Sequence, residues 1–170
     1  DDDVFERLAE DAFLFDGRGR ATPRLLFAPE GMGPDAFLDA CARFRSVHPA
    51  HQSMAGRLTM QQAMLDATDT PHGYGEDLGF LVSKGGPEIQ PSGHLRWVPY
   101  ADRNALLQEM PEQLHLLIAM PEMADALQLK HVPTATVQPG EAHRPPVQGY
   151  FNQASLVNIL AAVADASLTR

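Results

Sequence analysis

From Val4 to Phe15 the apolar residues Val4, Phe5, Leu8, Ala9, Ala12, Phe13 and Phe15 approximate a helical stripe, with aspartates just ahead of it. Carboxylates at a helix start meet the positive end of its dipole, so this spacing predicts a first helix. Asp16-Gly17-Arg18-Gly19 breaks it with two glycines in three residues. Leu25-Leu26-Phe27-Ala28 is a short continuous apolar run between Pro23 and Pro29, the pattern of a buried strand. Gly33-Pro34-Asp35 then opens a second helix, with Ala36, Phe37, Ala40, Cys41 and Phe44 as its apolar face and Pro49 as its end. A third helix is predicted over Met54 to Ala67, its inner side formed by Met54, Leu58, Met60, Met64 and Leu65.

Residues 69–76 hold a proline and two glycines and are predicted to be loop. Leu78 to Ser83 and Leu95 to Val98 are strand candidates, separated by Gly85-Gly86-Pro87. Asp102 is placed to cap a helix through Met110, because its side chain accepts from the free N–H groups of a first turn. His115 to Met120 has the pattern of a buried strand, Pro121 starts a short helix ending near Leu129, and Val132 to Val137 is a last strand candidate. Residues 139–146 carry three prolines and are irregular. Ser155 caps a closing helix with Leu156, Ile159, Leu160 and Val163 inward. Helices alternating with short apolar strands predict an α/β fold, a mainly parallel sheet flanked by helices.

Composition narrows the function classes. The 170 residues suit one domain spanning 1–170, and 44% hydrophobic with 21% charged residues exclude wholesale disorder. Cys41 alone makes an internal disulfide impossible. No apolar run approaches the roughly 18 residues of a membrane span and no signal peptide heads the chain, so a soluble cytoplasmic protein is expected. The net charge of −9 repels phosphate backbones and argues against nucleic acid as a partner. Of the basic residues only Lys84 and Lys130 are lysines, and both are expected to be solvated cations rather than Schiff-base formers.

Several short patterns yield to plain structural explanations. Gly31-Met32-Gly33-Pro34-Asp35-Ala36 matches a G-x-G-x-x-A dinucleotide fingerprint, but residues 51–60 lack the acid that would hold a ribose hydroxyl. A strand–turn–helix corner explains these glycines. His48 and His51 have a zinc-like spacing that Pro49 interrupts, and His143 lacks a second histidine two positions on, where Pro145 stands. Cys41 sits mid-helix among apolar neighbours, where nothing lowers a thiol pKa, so packing is its expected role. Met54, Met60 and Met64 are expected to fill core space. There is no G-x-S-x-G elbow, and the carboxylates are too scattered to nominate an acid/base pair.

Residues 10–28, Glu-Asp-Ala-Phe-Leu-Phe-Asp-Gly-Arg-Gly-Arg-Ala-Thr-Pro-Arg-Leu-Leu-Phe-Ala, carry a family resemblance. The segment resembles the nucleophile loop of acyl-CoA reductases related to the fatty-acid reductase of bacterial luminescence, within the aldehyde dehydrogenase superfamily. Asp11, Asp16, Gly19, Thr22, Pro23 and the strand Leu25–Ala28 stand in the places of that pattern, and the helix from Gly33 follows as in the superfamily. A looser match covers Leu95-Arg96-Trp97-Val98, Leu114–Ala119 and the turn from Val137 to Pro146. The resemblance spans about half the chain. It implies an aldehyde dehydrogenase-like catalytic domain without the nucleotide-binding domain, so that no cofactor is held by this chain and NADPH is implied only through the family.

Where that pattern puts the catalytic cysteine, this chain has Arg20. A guanidinium is permanently protonated and cannot attack a thioester. The resemblance therefore implies a degenerate relative that has lost covalent acyl transfer, with Arg18, Thr22 and Arg24 as substrate-binding residues. An acyl-CoA or acyl chain is the implied ligand, and a homo-oligomer or a companion subunit the implied assembly. The alternative is a non-catalytic α/β interaction or scaffold subunit, with the arginine trio a solvated loop.

Overall fold

The computed structural model describes residues 2–111, 114–127 and 135–144. The elements are helix α1 (Asp2–Phe13), strand β1 (Leu25–Pro29), helices α2 (Asp35–Val47) and α3 (Ser53–Ala67), and strands β2 (His72–Tyr74), β3 (Leu81–Lys84) and β4 (His94–Tyr100). Helix α4 (Arg103–Glu109), strand β5 (Leu116–Ile118), helix α5 (Pro121–Leu127) and strand β6 (Ala135–Val137) complete them. A four-stranded sheet has the order β1-β4-β3-β2. β4 pairs parallel to β1 and to β3, whereas β2 runs antiparallel along β3. β5 and β6 form a separate parallel pair. The expected α/β architecture with a mainly parallel sheet is present.

Alternation along β3 and β4 sends side chains to two faces. On one face Val82, Leu95 and Trp97 pack with Phe13 and Ala9 of α1 and Phe37, Ala40 and Cys41 of α2, all fully buried or nearly so. On the other, Leu81 meets Met54, Leu58 and Leu65 of α3. Cys41 is buried, and desolvation pushes its thiol pKa far up, in keeping with a packing role.

Some sequence expectations are corrected. Met60 and Met64 do not face inward: they are 70% and 64% exposed. At 100° per residue, Leu58 and Leu65 fall near the direction of Met54, whereas Met60 and Met64 project elsewhere. α1 ends at Phe13, so Phe15 lies beyond it and is exposed, and Ala36 is exposed rather than part of the inner face of α2. The 69–76 stretch contains β2, which pairs His72, Gly73 and Tyr74 with Ser83, Val82 and Leu81. The strand expected from Leu78 begins only at Leu81, after a single 3₁₀ turn over Glu76–Leu78. β1 is an edge strand, and Leu25, Leu26 and Phe27 are half-buried rather than buried. β5 is likewise half-buried along its length. The expected closing helix from Ser155 and Lys130 lie outside the described residues.

Two glycines fix how the loop before β1 is seated. Gly17 has φ +66° and Gly93 φ +85°, conformations open to glycine at little cost. A Cβ on Gly17 would lie 2.6 Å from the Gly93 nitrogen, so the two backbones touch. This contact brings the loop up to the start of β4.

Candidate functional site

The half-buried faces of β1 and β5 share an apolar cavity. Its volume is about 580 Å³, and Leu25, Leu26, Phe27, Leu106, Leu114 to Ala119, Met123 and Leu127 form most of its wall. That size lies in the ordinary range of small-molecule pockets. Local sequence builds each wall. Asp102 caps α4 by accepting from the Asn104 and Ala105 N–H groups at 2.8 and 2.9 Å, which fixes the helix carrying Leu106. Arg103 donates from Nη2 to the Leu127 carbonyl at 2.8 Å and ties the end of α5 to α4.

Polar groups enter this wall from the loop ahead of β1: Arg20, Thr22 and Arg24 line it, with Tyr100 and His115 elsewhere on the surface. Among the described residues no Asp or Glu lines it. Arg20 is exposed, on the turn closed by the Thr22 N–H donating to the Gly19 carbonyl at 3.2 Å. Arg24 is half-buried, and burial pushes its guanidinium pKa down. Its one side-chain hydrogen bond runs from Nη2 to Ser92 Oγ at 3.4 Å, and no carboxylate among the described residues forms an ion pair with it. Thr22 Oγ1 is shut off from solvent without a hydrogen-bond partner among the described residues.

Arg18 parts company with the other two. It donates from Nη2 to Ser53 Oγ at 3.2 Å, at the start of α3, and does not line the cavity. The arginine trio suggested by sequence is thus divided: Arg20 and Arg24 face the cavity and Arg18 pins the loop elsewhere. Asp16 pins it too, through an ion pair to Arg45 at 3.2 Å and by accepting from the His51 N–H at 3.3 Å.

The loop also leans on residues far along the chain. Asp11 is 1% exposed and accepts from the Gly140 and Ala142 N–H groups at 2.7 and 3.1 Å. Burial raises its carboxyl pKa, against the lowering effect of these two donors and of His143. His143 bonds through Nε2 to the Asp11 carbonyl at 2.8 Å, and its ring lies so close to Gly19 that a Cβ there would come within 2.9 Å of it. Among the described residues no group of three His, Cys, Asp or Glu is placed to hold an ion.

Sequence inspection missed a second polar cluster. His94, 3% exposed, shares a 2.6 Å hydrogen bond with Ser83 Oγ, and its Nδ1 lies 2.8 Å from Gln61 Oε1. Because Gln61 Oε1 only accepts, Nδ1 carries the proton and Nε2 accepts from the Ser83 hydroxyl. Arg96 donates to that hydroxyl oxygen at 2.8 Å. Desolvation first, then the Arg96 charge and His72, push the His94 pKa down to about 4. The order resembles a nucleophile–base relay, but Ser83 is fully buried and no substrate reaches it. It is a core network, in which Arg96 Nε alone of the buried polar atoms of Ser83, His94 and Arg96 has no partner among the described residues. The only advance signal for the Asp11 latch is a carboxylate set between Leu8 and Ala12 in an apolar stripe.

No protein-family model matches this chain, and no curated protein matches it.

Proposed function

We propose that this chain binds the apolar tail of an anionic amphiphile, an acyl chain or an acyl-CoA, between β1 and β5, and performs no covalent chemistry on it. One observation carries this reading: in a chain of net charge −9, the described residues that line an apolar cavity include two arginines and no carboxylate. An apolar wall with a few convergent polar groups is the usual form of a ligand site. The reading keeps the acyl-CoA reductase resemblance without its reaction, since Arg20 at the cavity edge stands where a thiolate would be needed. Under that resemblance NADPH and its nucleotide-binding domain are supplied outside these 170 residues.

Calorimetric titration with acyl chains of increasing length tests it. Each two added methylenes are expected to tighten binding by about tenfold until the cavity is filled. Mass spectrometry after incubation with an acyl-CoA is expected to find no covalent adduct, and Arg20→Cys to acquire one if the lineage is that of the reductases. A flat titration at every chain length would remove the proposal.

A second reading, an interaction or scaffold subunit, is favoured by Met60 and Met64, exposed one turn apart on α3. Association in light scattering that Met64→Glu abolishes, with no acyl binding, would put that reading first.

A further inference from the structure

Resting on the cavity reading, we infer that the head group bound in the cavity wall is a carboxylate, so that the ligand is a free fatty acid or a similar apolar acid rather than its thioester. Arg24 is a half-buried cation without an ionic partner among the described residues. Removing a charge from water is costly unless a counter-charge compensates. A ligand anion at this position restores the balance. The planar guanidinium fork matches a carboxylate through two parallel N–H donors.

Thr22 supplies a second handle. Its hydroxyl has no partner among the described residues, which is itself unfavourable, and no accessible surface, so a χ1 rotation toward the cavity that Thr22 lines is what lets it donate to a carboxylate oxygen. Pro23 biases Thr22 toward extended backbone, and side chains two apart on extended chain lie on one side. Thr22 and Arg24 are therefore disposed to meet one group together. Arg20, exposed on the preceding turn, adds positive potential at the edge.

The position of the charge separates acid from thioester. In a CoA thioester the negative charges sit on phosphates at the far end of a long polar arm, and the carbonyl joining the acyl chain is neutral. A cation set into the cavity wall has little to gain from such a ligand. In a fatty acid the charge is at the end of the chain itself.

Titration of the whole chain with dodecanoate, dodecanol and dodecanoyl-CoA is the test, repeated with Arg24→Gln and Thr22→Val. Dodecanoate is expected to bind about tenfold or more tighter than either of the others. Arg24→Gln is expected to erase that preference and leave dodecanol affinity within about twofold, and Thr22→Val to reduce it by about fivefold. The unliganded melting temperature of each variant reports whether it folds. Dodecanol binding as tightly as dodecanoate would overturn the carboxylate assignment while leaving the apolar cavity reading intact. Equal binding of dodecanoyl-CoA, insensitive to Arg24→Gln, would overturn it in the same way. No binding by any of the three would overturn both.

Discussion

The two sides of β1 have different fates. Toward α1 and α2 the sheet is sealed: Trp97, Phe37 and Cys41 have no exposed surface. Leu26 packs against that sealed cluster, whereas the equally apolar Leu25 and Phe27, alternating to the other side, border the cavity and keep part of their surface. Both regions are built from the same residue types, so hydrophobicity alone does not explain the contrast. What differs is the cover. Helices of 12 and 13 residues lie over the sealed face, whereas the open one looks across at a two-stranded sheet of three-residue strands. Among the described residues these short elements bring too few side chains to fill the space between them, and that space is the cavity.

The sharpest test of this contrast is truncation on either side. Phe37→Ala is expected to cost about 3–5 kcal/mol in urea unfolding, because a sealed core cannot collapse around the lost ring. Phe27→Ala, whose ring borders space already open, is expected to cost about 1–2 kcal/mol while weakening ligand binding. Equal losses would break the comparison.

Acid challenges the sealed sheet from its α3 side. His94 is held neutral in the fold, with its pKa lowered from 6.5 to about 4, and the unfolded chain takes up the proton first. Stability contributed by its neutral form is complete above pH 6.5 and is lost as pH falls from there toward 4. The loss is on the order of 3 kcal/mol. Chemical denaturation across that window is expected to show it, and His94→Gln to flatten the profile.

A smaller effect tests the attachment of the 138–144 turn. Asp11→Ala is expected to cost about 2 kcal/mol by leaving the Gly140 and Ala142 N–H groups without acceptors. Hydrogen exchange at those two amides is expected to accelerate far more than exchange within β4. At the cavity wall, Asp102→Ala is expected to cost about 1 kcal/mol in thermal unfolding through loss of the α4 cap. Met60→Gln, on the solvent side of α3, is expected to stay within about 0.5 kcal/mol.

The elements of both regions were legible in the sequence, but the space left between β1 and β5 was not. Ala9, Ala12 and Phe13 on α1, with Phe37, Ala40 and Cys41 on α2, carry a helical period strong enough to name the buried face. The Asp102 cap and the edges of β1 follow from local chemistry. β2 escaped notice because His72-Gly73-Tyr74, behind Pro71 and ahead of Gly75, has little strand propensity of its own and is held by pairing with β3. Met60 and Met64 misled because α3 is apolar on both sides, so its period does not single out one face. At the cavity, sequence pointed to Arg20, Thr22 and Arg24 together with Arg18, and the first three of these line it. Their apolar partners lie some 90 positions further along, beyond the reach of any local pattern.

The Asp11 latch has a consequence for biosynthesis. Its carboxylate and the Gly140 amide stand 129 positions apart. At ribosomal speeds of about 5–20 residues per second, roughly 6–26 seconds pass between the emergence of one partner and the other. Through that interval the nascent first helix keeps its acidic group hydrated. Closure of the clasp is therefore among the late events in maturation, and a chain cut short before Gly140 would never reach it.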